Sequence, residues 1–200
     1  MVKKVRLKTR AELAAPEFRS QTARRSQILG QCHAVCEKLS KSRKQFLLNV
    51  ARGGWNDDPY LDGDEFARTV RHWISRRKDF FNSDPKMLEV HFFTCNYDAH
   101  RGFDPLIKMV KSLNCDAGTA MRLFWINDPV FYSKYPTISS CPNGEERDAM
   151  RLLRVIKTRF RNKDFRTTKI PFDPRPWIAA DDVDLQTLRV PEALCQPIAT

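Results

Sequence analysis

Residues 104–125 read DPLIKMVKSLNCDAGTAMRLFW, and this stretch decides the fold class. Asp104 followed by Pro105 is a helix-start signature, because proline's fixed φ suits the first helical position, where no N–H is needed. Leu106, Ile107, Met109, Val110 and Leu113 then recur three or four apart, the period of a helix with one buried face. Asn114 or Asp116 opens a second helix through Ala120, Met121, Phe124 and Trp125, and an Asp at that place predicts an N-cap. Gly118, Thr119 and Ala120 are small enough to let another helix approach closely.

The same signals continue on both sides. Asn82-Ser83-Asp84-Pro85 repeats the cap-then-proline opening and predicts a helix through Met87, Leu88, His91 and Phe92 toward Tyr97. Upstream, Phe66, Val70, Trp73, Ile74 and Phe80 mark a helix capped by Asp62 or Asp64. Between Arg24 and Val50 the apolar stripe is interrupted at residues 40–43, which predicts one helix with a polar stretch or two with a bend, stopped by Gly53-Gly54. WNDDPYLDG, residues 55–63, is a loop by composition. Downstream, Asn127 to Asn143 is a long connection or a pair of short turns. Then Glu145 and Glu146 open a helix whose stripe is Met150, Leu153, Ile156 and Phe160, with bases at its end, as the helix dipole favours. Prolines 171, 174, 176, 191 and 197 break the tail. The expectation is an all-α fold: a single compact multi-helix domain over residues 24–168, a basic flexible N-terminal arm over 1–23, and an irregular proline-rich C-terminal strap over 169–200.

Composition narrows the class. The chain has 200 residues, a net charge of +11 and 42% apolar residues, which fits a folded globular domain rather than a disordered chain. No run approaches 18 apolar residues and the first twenty lack an apolar signal region, so a cytoplasmic protein with no membrane partner is expected. Six cysteines without a regular spacing predict thiols in a reducing compartment rather than a disulfide scaffold. The charge is uneven: successive fifty-residue blocks carry +9, −2, 0 and +4. The middle of the chain is therefore neutral, and any phosphate-binding role falls to the ends.

The familiar phosphate-cradling, zinc-protease and nucleophile-elbow motifs are absent. His91, Cys95, His100 and Cys115 are a conceivable zinc set, but the spacing is no metal signature, and packing of His91 and Cys95 at a helix interface takes precedence. Cys32, His33 and Cys36 form a weaker partial set. Cys95 with His91 or His100 permits a nucleophile–base pair, and Asp98, Asp104 and Asp116 a carboxylate pair, yet helix capping explains the three aspartates more simply. No catalytic residue, metal ligand or cofactor is assigned.

The run from Leu88 to Trp125 carries a family resemblance. Asn96, Tyr97 and Gly102 form an Asn-aromatic turn, and Cys115, Asp116, Gly118, Thr119 and Ala120 precede an apolar-aromatic helix ending in Phe124 and Trp125. In this it resembles the bacterial DUF4274 family, small helical domains of unknown function. The family tends to show Asn-Trp-Asp-Asp before the glycine, whereas this chain has Asn96-Tyr97-Asp98-Ala99-His100-Arg101. The resemblance implies an intracellular bacterial protein and, through association with accessory and immunity-like proteins, a protein-interaction role.

Two functions compete. The first is a noncatalytic protein-interaction domain, accessory or immunity-like, with Trp55, Asp57, Asp58, Tyr60, Asp98, His100 and Arg101 as interaction candidates. The alternative is nucleic-acid binding through the basic arm (Lys3, Lys4 and Arg6) and the late helix (Arg151, Arg154, Lys157 and Arg161), where several cations on one face would touch phosphates.

Overall fold

The computed structural model describes residues 34–52, 63–180 and 188–199. Lys3, Lys4, Arg6, Trp55, Asp57, Asp58 and Tyr60 lie outside the described residues. So does the segment assigned to the basic arm.

Helix α1 (Lys41–Ala51) begins where the stripe was interrupted, because Ser40 is its N-cap and accepts a hydrogen bond from the Arg43 amide. The interruption is thus a bend, with a turn at residues 36–39 before it. Helix α2 (Gly63–Asn82) carries Asp64 and Glu65 in its first turn. Helix α3 (Met87–Asn96) starts later than the Asp84-Pro85 signature predicts. Lys86, not Asp84, holds the cap position, and Glu89 reaches back to accept from the Lys86 amide at 3.2 Å. The same Glu89 pairs with the Arg43 Nε at 2.6 Å, tying α1 to α3. Burial raises the Glu89 pKa, but the Arg43 and Lys86 bonds outweigh it and hold the carboxyl below its usual range.

Helix α4 (Asp104–Lys111) has Pro105 in its first turn, but Phe103 is the cap residue and Asp104 is already helical. The capping role expected of Asp104 is therefore replaced by a first-turn position, where its charge meets the positive end of the helix dipole. Helix α5 (Ala117–Ile126) is buried from Ala117 to Trp125, so it has no polar face and forms the centre of the molecule. The long connection contains the short helix α6 (Pro129–Ser133), capped by the Asp128 carboxylate, and a 3₁₀ turn at Ile138–Ser140. Helix α7 (Gly144–Arg161) opens on an Asn143 cap and buries Ala149, Leu152, Leu153, Ile156 and Phe160. Within the tail lie α8 (Arg175–Ala180), a 3₁₀ turn at Glu192–Leu194 and one antiparallel bridge between Phe172 and Ile198.

The described residues form an all-helical domain without a sheet. Helix α3 packs on α1, α4 and α5, and α7 closes over α4 and α5. Between them sits one apolar cluster built on Leu47, Phe80, Phe93, Leu106, Phe124 and Ile156. Each large side chain fully buried there contributes about 1.5–3 kcal/mol of transfer free energy. No helix among the described residues is long and apolar enough to cross a membrane.

Candidate functional site

The Cys115–Ala120 run, singled out by its small residues, builds a lock. Asp116 is fully buried. Its Oδ1 accepts from the Gly118 amide at 2.9 Å, which caps α5, and from the Ile170 amide at 3.1 Å; its Oδ2 accepts from the Lys169 amide at 2.8 Å. The Ala117 amide donates in turn to the Thr167 carbonyl. One carboxylate therefore both caps a helix and clamps the chain that follows α7. Gly118 makes this possible, because a Cβ at that position would stand 1.9 Å from the Ile170 carbonyl oxygen. Further along, the Trp125 indole donates to the Leu194 carbonyl at 2.8 Å and fixes the end of the tail.

One turn into α5, Thr119 and His91 Nδ1 share a 2.8 Å hydrogen bond, and Arg122 donates to Thr94 Oγ1 at 3.1 Å. Burial, helped by the Arg122 charge, drives the His91 pKa down to about 3, so the ring is neutral. His91 thus packs at the α3–α5 interface, as the simpler expectation held. The Cys115 thiol is buried and pushed up to about 12, mainly by desolvation. Cys95 Sγ lies 3.6 Å from His91 Nε2, but its sulfur is disulfide-bonded. That corrects the expectation of thiols throughout, and a disulfide sulfur is no thiolate nucleophile. Cys36, Cys115, Cys141 and Cys195 are free thiols. Among the described residues no three His, Cys, Asp or Glu side chains gather closely enough to hold a metal ion.

The interaction candidates at the turn after α3 sit together. Asp98 and Arg101 form an ion pair at 3.8 Å, each half exposed, across the 3₁₀ turn Ala99–Arg101. His100 contributes its backbone there, and its side chain is outside the described part. Asp98 directly precedes the 3₁₀ turn, and its carbonyl accepts from the Arg101 amide. Gly102 completes the turn at φ 92, in the left-handed region that favours glycine.

The basic residues of the late helix divide. Arg151 pairs with Asp148 on the outer face and Arg161 is exposed. Arg159, a further base of this helix, is buried instead. It donates to the Val110, Ser112 and Asp164 carbonyls and so closes the C-terminal end of α4. Arg154 and Lys157 line a cleft of about 690 Å³ between α6, α7 and residues 188–190. Phe124, Met150, Leu153 and Leu188 supply its apolar lining, and Tyr132 and Tyr135 its aromatic part. Lys134 and Arg189 complete a set of four cations, and among the described residues no carboxylate lines it. Arg154 Nη2 donates to the Pro136 carbonyl at 3.0 Å and Lys157 Nζ to the Leu188 carbonyl at 3.1 Å, which holds both heads in place. Burial lowers the Lys157 pKa, and the neighbouring charges of Arg161, Arg154 and Arg189 lower it further.

Residues 83–161 match the family model DUF4274, a domain of unknown function. Comparison with curated proteins and with solved structures finds no match. The DUF4274 span extends the sequence resemblance on both sides, from the junction before α3 to the last residue of α7. It contains Asp116 and Gly118 of the lock, but the amides that Asp116 clamps, Lys169 and Ile170, lie beyond it. It likewise supplies most of the cleft, while Leu188, Arg189 and Val190 come from the tail. Residues beyond the matched span thus take part in both the lock and the cleft.

Sequence reasoning found Arg154 and Lys157 but missed Lys134, Tyr132, Tyr135 and Arg189 as their neighbours. The adjacent Phe131-Tyr132 pair was the available signal. Arg159 also had a sequence signature: it stands three residues after Ile156 and seven after Leu152, on the face that packs inward.

Proposed function

We propose that the protein is a noncatalytic interaction domain that binds an acidic partner protein through the cleft beside α7. One observation carries this reading: four cations line the cleft, with an apolar base and, among the described residues, no lining carboxylate. Four cations gathered on one cleft favour an anionic visitor, and the apolar lining suits a side chain inserted between the charged contacts. Two of the cations are oriented by backbone carbonyls before anything binds, which reduces the ordering cost of association.

Fluorescence anisotropy with labelled Asp/Glu-rich peptides carrying a central Leu or Phe tests the reading. Binding at physiological salt, weakened by Arg154→Glu, is the expected result. Tight binding of single-stranded or duplex nucleic acid that such peptides fail to displace would replace it with the nucleic-acid alternative, for which Arg161 extends the cationic face by another turn of α7. No binding of either probe at low salt would remove both.

A further inference from the structure

We propose that the same cleft is also a small-molecule site, one that takes an organic phosphate monoester of mononucleotide size. The phosphate sits at the Arg154–Lys157–Arg189 end and the flat body lies toward Tyr132 and Tyr135. This goes beyond the partner-protein reading and does not require it.

Size comes first. A cleft of about 690 Å³ falls within the range of small-ligand sites, which is about 300–1,000 Å³. Charge comes second. Arg154 has five N–H groups and Lys157 three, and the described structure takes one from each, for Pro136 and Leu188. The remaining donors are available to acceptor oxygens, and a guanidinium fork matches two oxygens of one phosphate. Arg189 stands on a left-handed residue, φ 47, beside them. A single carboxylate leaves most of this charge unmatched, whereas a phosphate monoester brings nearly two negative charges and three acceptor oxygens. The depressed pKa of Lys157 reflects its burial and, after that, the same crowding of cations.

The tyrosines offer the faces on which the flat body of the ligand would stack. Burial, with Glu146, Glu145 and Asp128 nearby, pushes the Tyr132 hydroxyl up to about 12. Acidic groups therefore act on the Tyr132 hydroxyl and disfavour an anion beside it. Tyr132, Tyr135, Pro129 and Phe124 supply aromatic and apolar surface there, beside Lys134, whose ammonium stands 5.0 Å from the Tyr135 ring centre.

Isothermal titration of the full chain with adenosine monophosphate, adenosine and inorganic phosphate separates the contributions. Adenosine monophosphate should bind about tenfold or more tightly than either fragment, because only it uses both ends of the cleft. Arg154→Gln and Arg189→Asn should each weaken it by about tenfold while leaving adenosine unaffected. Asn tolerates the left-handed backbone at 189, so that variant keeps the test alive should Arg154→Gln disturb folding through the lost Pro136 contact. The proposal is overturned if adenosine monophosphate binds no more tightly than inorganic phosphate, if both folded variants bind it as the parent does, or if millimolar ligand gives no heat. None of these results depends on peptide binding, so the partner-protein reading stands or falls separately.

Discussion

Replacing Asp116 with Asn changes one oxygen of the lock into an amide nitrogen and leaves the volume unchanged. In the parent, three backbone N–H groups converge on the carboxylate, two on Oδ1 and one on Oδ2. The best arrangement of the amide keeps its oxygen toward Gly118 and Ile170, and its NH₂ then faces the Lys169 N–H, donor against donor. The loss is one charge-assisted hydrogen bond, about 1.5–3 kcal/mol, plus part of the penalty for a buried donor left unpaired. A total of about 2–4 kcal/mol follows. At about 2–4 °C per kcal/mol for a chain of this size, the Tm should fall by about 4–16 °C. Thermal unfolding by circular dichroism reads the first number, and amide hydrogen exchange reads the mechanism, because the Lys169 amide should lose protection ahead of the α5 amides. A Tm within about 1 °C of the parent, with Lys169 and Ile170 equally protected, would refute the claim that this carboxylate fastens the strap to α5.

Gly118→Ala attacks the same contact sterically: its Cβ would meet the Ile170 carbonyl at 1.9 Å, so a loss of about 1–3 kcal/mol and faster trypsin cleavage after Lys169 are expected. Arg159→Gln strips the guanidinium from the Val110, Ser112 and Asp164 carbonyls, and urea unfolding should show a loss of about 2–4 kcal/mol; an unchanged midpoint would contradict the capping role. His91 titrates near 6.5 when unfolded and near 3 when folded, so between these values the unfolded chain binds more protons. Stability is fully present above pH 6.5 and is lost as pH falls toward 3, by up to about 1.4 kcal/mol per unit; His91→Gln should flatten this slope in urea titrations between pH 4 and 7.

Local chemistry was legible in the sequence, and long-range geometry was not. The stripe from Met150 to Phe160, with acids before it and bases at its end, placed α7, because dipole and apolar spacing agree there. The proline signals placed the start of α3 two residues early and that of α4 one residue late, since the cap positions fall to Lys86 and Phe103 and not to the nearest Asp. Asp116 was readable as a cap, but its second task depends on Lys169 and Ile170, more than fifty residues away. Charge composition located the cations of α7 yet could not divide buried Arg159 from cleft-lining Arg154. The cleft itself joins Lys134, Lys157 and Arg189, which no local pattern connects.

The central claim is that anionic partners enter between α6, α7 and residues 188–190. The most direct measurement is a ¹⁵N correlation spectrum of the labelled chain titrated with an unlabelled acidic peptide carrying a central leucine. Shifts concentrated at residues 129–136, 150–157 and 188–190 are the predicted result. Shifts that instead gather on α2 or around the Asp98–Arg101 turn, with the cleft silent, would contradict it.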